Sequence, residues 1–139
     1  MIILDKEHEF LLKLIEELGD KYEIIKSQNK YCNIDFIVIN RHNLKTLYIE
    51  HKFRNVVDKY DTLFIGKTKI NNILSLYSKC VIVWEFIGDV FYSIEVCDDM
   101  LVKYYMAYVM GSYALEISKE DCNKSIDNLI ENIIKNLEI

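Results

Sequence analysis

Three charged residues sit where the surrounding sequence asks for packing. Asp35 interrupts an apolar run made of Ile34, Phe36, Ile37, Val38 and Ile39. Glu50 and Lys52 follow Leu47, Tyr48 and Ile49 at the end of the next such run. A carboxylate buried in a strand of this kind costs several kcal/mol (about that order) unless it is paired or binds a metal. Residues two apart on a strand share a face, so Glu50 and Lys52 point the same way. A hairpin between the two runs sets Asp35 across from Glu50, and two carboxylates and an ammonium then converge. Such a trio suits hydrolysis of phosphodiester bonds. Carboxylates hold Mg²⁺ or Mn²⁺, ions that need only one or two of them alongside water and phosphate. A lysine beside them can orient the attacking water and offset developing negative charge. The alternative is a buried ion pair of Lys52 with Asp35 or Glu50 that serves the fold alone.

Other chemistry is scarce. His51 alternates with Glu50 and Lys52, so it faces the opposite side and reads as a partly buried structural histidine. His8 and His42 read as surface residues. No Ser/His/Asp set, glycine-rich phosphate loop or H-E-x-x-H is present. Cys32, Cys80, Cys97 and Cys122 lie far apart, without the pair spacing of a zinc site. Three of the four are expected as small core fillers, held reduced in an intracellular chain. Tyr31, Tyr48 and Tyr60 flank the proposed site. They either stack on bases or, more often for strand tyrosines, pack half-buried.

The elements that position these residues follow from periodicity. Asp5 suits an N-cap. Phe10, Leu11, Leu14, Ile15 and Leu18 then recur at helical spacing, and Gly19 closes the run. A short strand is expected over 22–26 and a turn at Ser27-Gln28-Asn29. Strands follow over 31–40 and 44–53, joined at Arg41-His42-Asn43, with 58–65 irregular. From Lys67 a second helix fits, with Ile70, Ile73, Leu74 and Tyr77 inward. Strands over 80–86 and 90–96 flank Ile87-Gly88-Asp89, a hairpin signal. A second hairpin is expected from 103–110 and 113–117 across Gly111-Ser112, then a closing amphipathic helix over 125–137.

Composition bounds the class. The 139 residues are 51% hydrophobic and 28% charged, with no proline, which describes a single globular domain rather than a disordered chain. No apolar run approaches the ~20 residues of a membrane-spanning helix. The start meets Asp5, Lys6 and Glu7 too soon for a signal peptide, so an intracellular protein is expected, cytoplasmic or nuclear. The net charge of −5 argues against a protein that coats nucleic acid. Seven Lys and Arg against three acids between Arg41 and Lys69 nevertheless make a local basic segment able to meet phosphates.

Asp35, fourteen intervening residues and Glu50-His51-Lys52, placed at the end of the third expected strand, resemble the PD-(D/E)XK nuclease superfamily. The resemblance covers roughly residues 5–96 and departs from the motif at Ile34, where many members carry proline. It implies an α/β fold: a restriction-endonuclease-like α-β-β-β-α-β-β core with a mixed central sheet flanked by helices. Residues 97–139 would add a C-terminal hairpin and helix. Glu7-His8-Glu9-Phe10-Leu11 resembles the opening of the archaeal Holliday-junction resolvases, which add a glutamate from the first helix. That makes Glu7 an auxiliary metal ligand, with Glu9 the second choice, or else an exposed acid favoured by the helix dipole. Tyr60 to Lys69 resembles a segment after the E-x-K strand in small nuclease-like proteins of large DNA viruses and phages. An Ile-, Asn-, Lys- and Tyr-rich composition fits such an origin.

The resemblance implies a Mg²⁺- or Mn²⁺-dependent nuclease. Asp35 and Glu50 would hold the metal and Lys52 would assist the attacking water. Lys67, on the inward face of the second helix, would contact phosphates together with Arg54 and Lys69. DNA, branched or duplex, is the expected substrate, with an RNA endonuclease open in the same class. The competing expectation is a nuclease-like fold without activity, used for nucleic-acid binding or protein assembly. The apolar region from Leu101 to Leu137 would then serve as a homodimer or docking interface.

Overall fold

Asp5 starts the first helix: its carboxylate accepts a hydrogen bond from the His8 amide, and α1 (Lys6–Leu18) follows. Gly19 ends it at φ 73°, a left-handed exit that a residue without a Cβ takes at little cost. Phe10, Leu14 and Leu18, four residues apart, form its buried stripe. The structure, a computed structural model, describes residues 5–27, 34–77 and 79–138.

Strands β1 (Tyr22–Lys26), β2 (Phe36–Asn40) and β3 (Thr46–Arg54) form an antiparallel meander. The chain continues through β4 (Thr62–Gly66) and α2 (Lys67–Leu76) and returns in β5 (Cys80–Phe86), parallel to β3. Strand β6 (Val90–Glu95) pairs antiparallel with β5 across Gly88 and Asp89, both at positive φ. After α3 (Met100–Lys103) come β7 (Tyr105–Val109), β8 (Ser112–Ser118), β9 (Asn123–Lys124) and the closing α4 (Ile126–Glu138).

Two sheets result. The larger is mixed, in the order β1-β2-β3-β5-β6-β9; the smaller is β4-β8-β7. On one face of the large sheet α1 and α4 pack through Phe10, Leu14, Leu129 and Ile133 against Phe36, Val38, Leu47, Ile49, Val81 and Val83. On the other face lie α2 and the small sheet, where Ile65, Ile70, Ile73, Leu115 and Ile117 meet Cys80, Ile82 and Trp84. Covered on both sides, β5 is buried from Cys80 to Glu85, which is why it reads as a continuous apolar run rather than an alternating one. Among the described residues no helix is long and apolar enough to cross a membrane.

Several expectations change. Residues 58–65 do not form an irregular stretch throughout, because 62–66 make β4. Its alternation of Leu63 and Ile65 inward with Phe64 outward becomes a strand only through pairing with β8, some fifty residues later. The second hairpin is therefore no appendage; it joins β4 in the second layer. Strand β3 begins at Thr46 rather than residue 44, since Leu44 turns the chain at φ 62°. Strand β2 starts at Phe36, after a bend at Asp35. Tyr31, Cys32, and the turn residues Gln28 and Asn29 lie outside the described residues. Cys80 and Cys122 are buried as expected, whereas Cys97 is exposed.

The 58–61 segment leading into β4 is tied down by a buried lysine. Lys119, just past β8, donates to the Asp58 carboxylate and the Tyr60 carbonyl. Its ammonium also lies over the Tyr92 ring at 4.9 Å and the Phe86 ring at 5.4 Å. The Tyr92 hydroxyl donates to the same carboxylate.

Candidate active site

Antiparallel pairing carries Asp35 to Glu50. Phe36 sits opposite Ile49, so the residue before β2 falls opposite the residue after Ile49. Two bonds fix the position: the Asp35 amide donates to the Ile49 carbonyl at 2.8 Å, and the His51 amide donates to the Asp35 carboxylate at 2.7 Å. Together they bracket Glu50. The Glu50 side chain is only 7% exposed and faces the same side of β3 as Lys52. Their neighbours on β5 are Ile82 and Trp84, which give the site an apolar flank. From α2, the Lys69 ammonium reaches Glu50 Oε2 at 3.0 Å.

The surroundings shift both groups towards neutral pH. Burial, reinforced by the adjacent Asp35 carboxylate, pushes the Glu50 carboxyl up to about 7, although Lys69 works against the rise. Burial first, and then the nearby Lys69 charge, brings the Lys52 ammonium down to about 8. Burial and then Asp35 also raise Glu7, which places this helix residue within electrostatic reach of the pair. Glu9 turns instead to Lys6, with which it forms an ion pair at 3.2 Å. The Cys80 thiol, buried close to Glu50, is raised to about 12 and is not a nucleophile.

The expected trio is thus brought together, and the phosphate-contact residues are rearranged. Lys69, not Lys67, enters the site. Lys67 is exposed at the start of α2, contrary to the inward position expected, because Ile70 and Ile73 take the buried stripe and leave Lys67 outside it. Arg54 is exposed at the end of β3, near enough to Lys52 to depress its basicity. Among the described residues no three acids, histidines or cysteines come close enough to share an ion. Asp35 and Glu50 form a pair, and Glu7 stands outside it. Sequence spacing missed the Lys69–Glu50 contact because nothing local shows which α2 lysine will face β3.

His51 belongs to the other face. Its ring is buried, stacks on Phe10 with centroids 4.3 Å apart, and places Nε2 2.9 Å from the Glu85 carboxylate. This is the structural histidine expected, now with a named partner. Tyr48 packs against Tyr77 at 4.7 Å, so it is a packing residue, while Tyr60 remains exposed.

No family model and no curated protein matches the sequence. The fold matches a solved structure, that of Archaeoglobus fulgidus Hjc, a Holliday junction resolvase from an archaeal hyperthermophile. The match has a TM-score of 0.59 over 90% of this chain and 92% of that one, at 13% identity. The fold is restriction-endonuclease-like. In this fold the carboxylate pair lies where β2 meets β3, with Lys52 two residues on.

Proposed function

We propose that this chain is a Mg²⁺- or Mn²⁺-dependent nuclease whose centre is Asp35, Glu50 and Lys52. The observation that carries the reading is the apposition of the Asp35 and Glu50 carboxylates beside Lys52, with Glu50 raised to about 7 and Lys52 lowered to about 8. Two carboxylates held together in a buried site disfavour each other's charge, an arrangement that a hard divalent cation relieves and packing alone does not favour. The donor set fits such an ion, since both carboxylates offer only oxygen. Asp35 and Glu50 would hold the ion, with Glu7 outside this pair. When bound, a divalent cation supplies Lewis acidity to the phosphoryl group and to water.

The chain's own groups supply the rest. Asp35 is held in place by the His51 amide, which keeps one of its oxygens engaged and orients the other. Lys52, lowered towards neutrality, is able to accept a proton from an attacking water or, when charged, to offset charge on the phosphate. Lys69 pairs with Glu50 and stands ready to shift to a substrate phosphate, which would release the carboxylate. Lys67 and Arg54, both exposed, would meet the polymer's backbone and set its register. DNA, branched or duplex, is the favoured polymer, a reading supported by the fold shared with a Holliday junction resolvase.

A second reading has an observation of its own. The Lys69 ammonium already partners Glu50 at 3.0 Å, so the carboxylate pair is partly neutralised without an ion. A site kept in that way would serve a binding or assembly module. The test is cleavage of labelled single-stranded, duplex, flapped and four-way DNA, and RNA, in Mn²⁺, Mg²⁺ or EDTA. Metal-dependent cutting supports the nuclease. Binding without cutting in any metal supports the module.

A further inference from the structure

The β7–β8 hairpin carries more aromatic surface than the fold uses. Register places Met106 opposite Leu115, and Tyr108 opposite Tyr113. Directly opposed residues share a face, so Tyr108 and Tyr113 point to the same side as Leu115 and Ile117, the side turned towards the large sheet. Leu115 and Ile117 are fully buried there. Tyr108 and Tyr113 continue that inward face past the edge of the core and remain 67% and 57% exposed. They overhang the core, and both residues keep more than half of their surface exposed. Their rings meet edge to face at 5.1 Å and 68°, which leaves broad faces of both rings open.

Position ties the overhang to the candidate centre. Ala114 pairs with Gly66, the last residue of β4 and the cap of α2, and Lys69 of that helix's first turn contacts Glu50. The hairpin tip thus projects beyond the end of β4 at the point where α2 starts, beside exposed Lys67. From Tyr104 to Leu115 there is no charged residue, in a chain of net −5. A polyanion meets no repulsion from the outer part of the hairpin, and Glu116 lies at its base opposite Tyr105. The tip is also well defined: Met110 and Gly111 both take positive φ, the two-residue turn whose twist suits a tight hairpin. Such turns prefer Asn and Gly, yet a fully exposed Met stands at Met110.

We propose that Tyr108 and Tyr113, with Met110 at the tip, form a stacking platform for an unpaired or splayed nucleobase next to the bond cut at the Asp35–Glu50 centre. Planar heterocycles are the ligand class that fits open ring faces without charge. Insertion of an apolar wedge beside a base step is a known way to hold distorted nucleic acid. The inference rests on the nuclease reading and deepens it: the preferred substrate contains unstacked bases, as at a branch, flap or bulge.

The test uses the full chain and DNA carrying 2-aminopurine at the branch of a four-way or flapped substrate, beside a fully paired duplex. Wild-type protein should change the fluorescence of the branch probe. Tyr108→Ser/Tyr113→Ser protein should lose about tenfold or more in affinity for branched DNA, the scale set by losing one or two base–aromatic stacks. Tyr108→Phe/Tyr113→Phe should behave as wild type, and both variants should keep the wild-type circular-dichroism spectrum and melting temperature. Equal branch affinity in a folded serine variant overturns the platform while the nuclease reading stands. So does a wild-type dimer that the serine variant converts to monomer, since the hairpin would then be a self-association surface. A wild type that neither binds nor cuts any nucleic acid overturns both readings.

Discussion

Replacing Glu50 by Gln should stabilise the metal-free protein at pH 8. The Glu50 carboxyl moves from an ordinary 4.5 to about 7 in the folded chain. Below pH 4.5 it is protonated folded and unfolded and has no effect. Between about 4.5 and 7 the folded chain keeps a proton that the unfolded chain releases, so stability falls as pH rises. Above 7 the full cost is present. A shift of this size corresponds to about 3 kcal/mol at ~1.4 kcal/mol per pH unit. Glu50 is buried enough that solvent screening removes little of it. Some of the gain is lost again, because Glu50 supports the charge on Lys52. The expected net gain is about 1–3 kcal/mol, or roughly 4–12 °C in melting temperature for a domain of this size. Thermal melts by circular dichroism in EDTA should show Glu50→Gln above wild type at pH 8, with the difference closing near pH 5. Adding Mn²⁺ at pH 8 should raise wild type by about 3 kcal/mol at one hundred times its Kd and leave the variant unchanged. A variant that melts below wild type in EDTA at pH 8 would show that Glu50 serves a stabilising ion pair with Lys69. Equal Mn²⁺ shifts in both proteins would place the cation elsewhere.

Three further outcomes are expected. His51→Ala leaves the buried Glu85 carboxylate without its partner and should lower stability in urea by about 3–5 kcal/mol; an unchanged midpoint would remove the structural role. Lys119→Met keeps an unbranched apolar side chain but removes the ammonium from the rings of Tyr92 and Phe86 and leaves the Asp58 carboxylate only the Tyr92 hydroxyl. It should cost about 2–4 kcal/mol and speed hydrogen exchange across residues 58–66, and unchanged exchange there would contradict the clamp. Lys69→Met removes the ammonium that holds Glu50 down. Carbon-detected NMR titration should therefore find the Glu50 carboxyl higher than in wild type, and a lower value would place Lys69 away from it in solution.

The two residues of the proposed centre that the fold shifts most are also the ones that burden its stability. Burial raises Glu50 and lowers Lys52, and neither shift helps the chain fold at neutral pH. For a site kept for chemistry, a gain in stability on removal of such groups is the expected signature.

Much of this was readable in the chain because it is local. Helix α1 has its cap, stripe and terminal glycine within fifteen residues, and β3 shows its two faces by alternation alone, which separated Glu50 and Lys52 from His51. The facing of Asp35 and Glu50 also followed, since a short hairpin fixes register. What stayed hidden depends on distant partners. Strand β4 acquires a pattern only beside β8, and the second sheet exists only because the C-terminal hairpin returns to it. The choice of Lys69 over Lys67 depends on how α2 rotates against the large sheet, which Ile70 and Ile73 settle by packing. Glu85 as the partner of His51 needed the parallel pairing of β3 and β5, a crossover that no local spacing reveals.

The most direct test of the account is single-turnover cleavage, in Mn²⁺, of the preferred substrate by wild type, Asp35→Asn, Glu50→Gln, Lys52→Met and the triple variant. Residues that act as one centre lose activity non-additively. Each single variant should therefore fall by about a thousandfold or more, close to the triple variant, while its fold and melting temperature are kept or improved. Wild-type rates in Glu50→Gln or Lys52→Met protein would contradict the account.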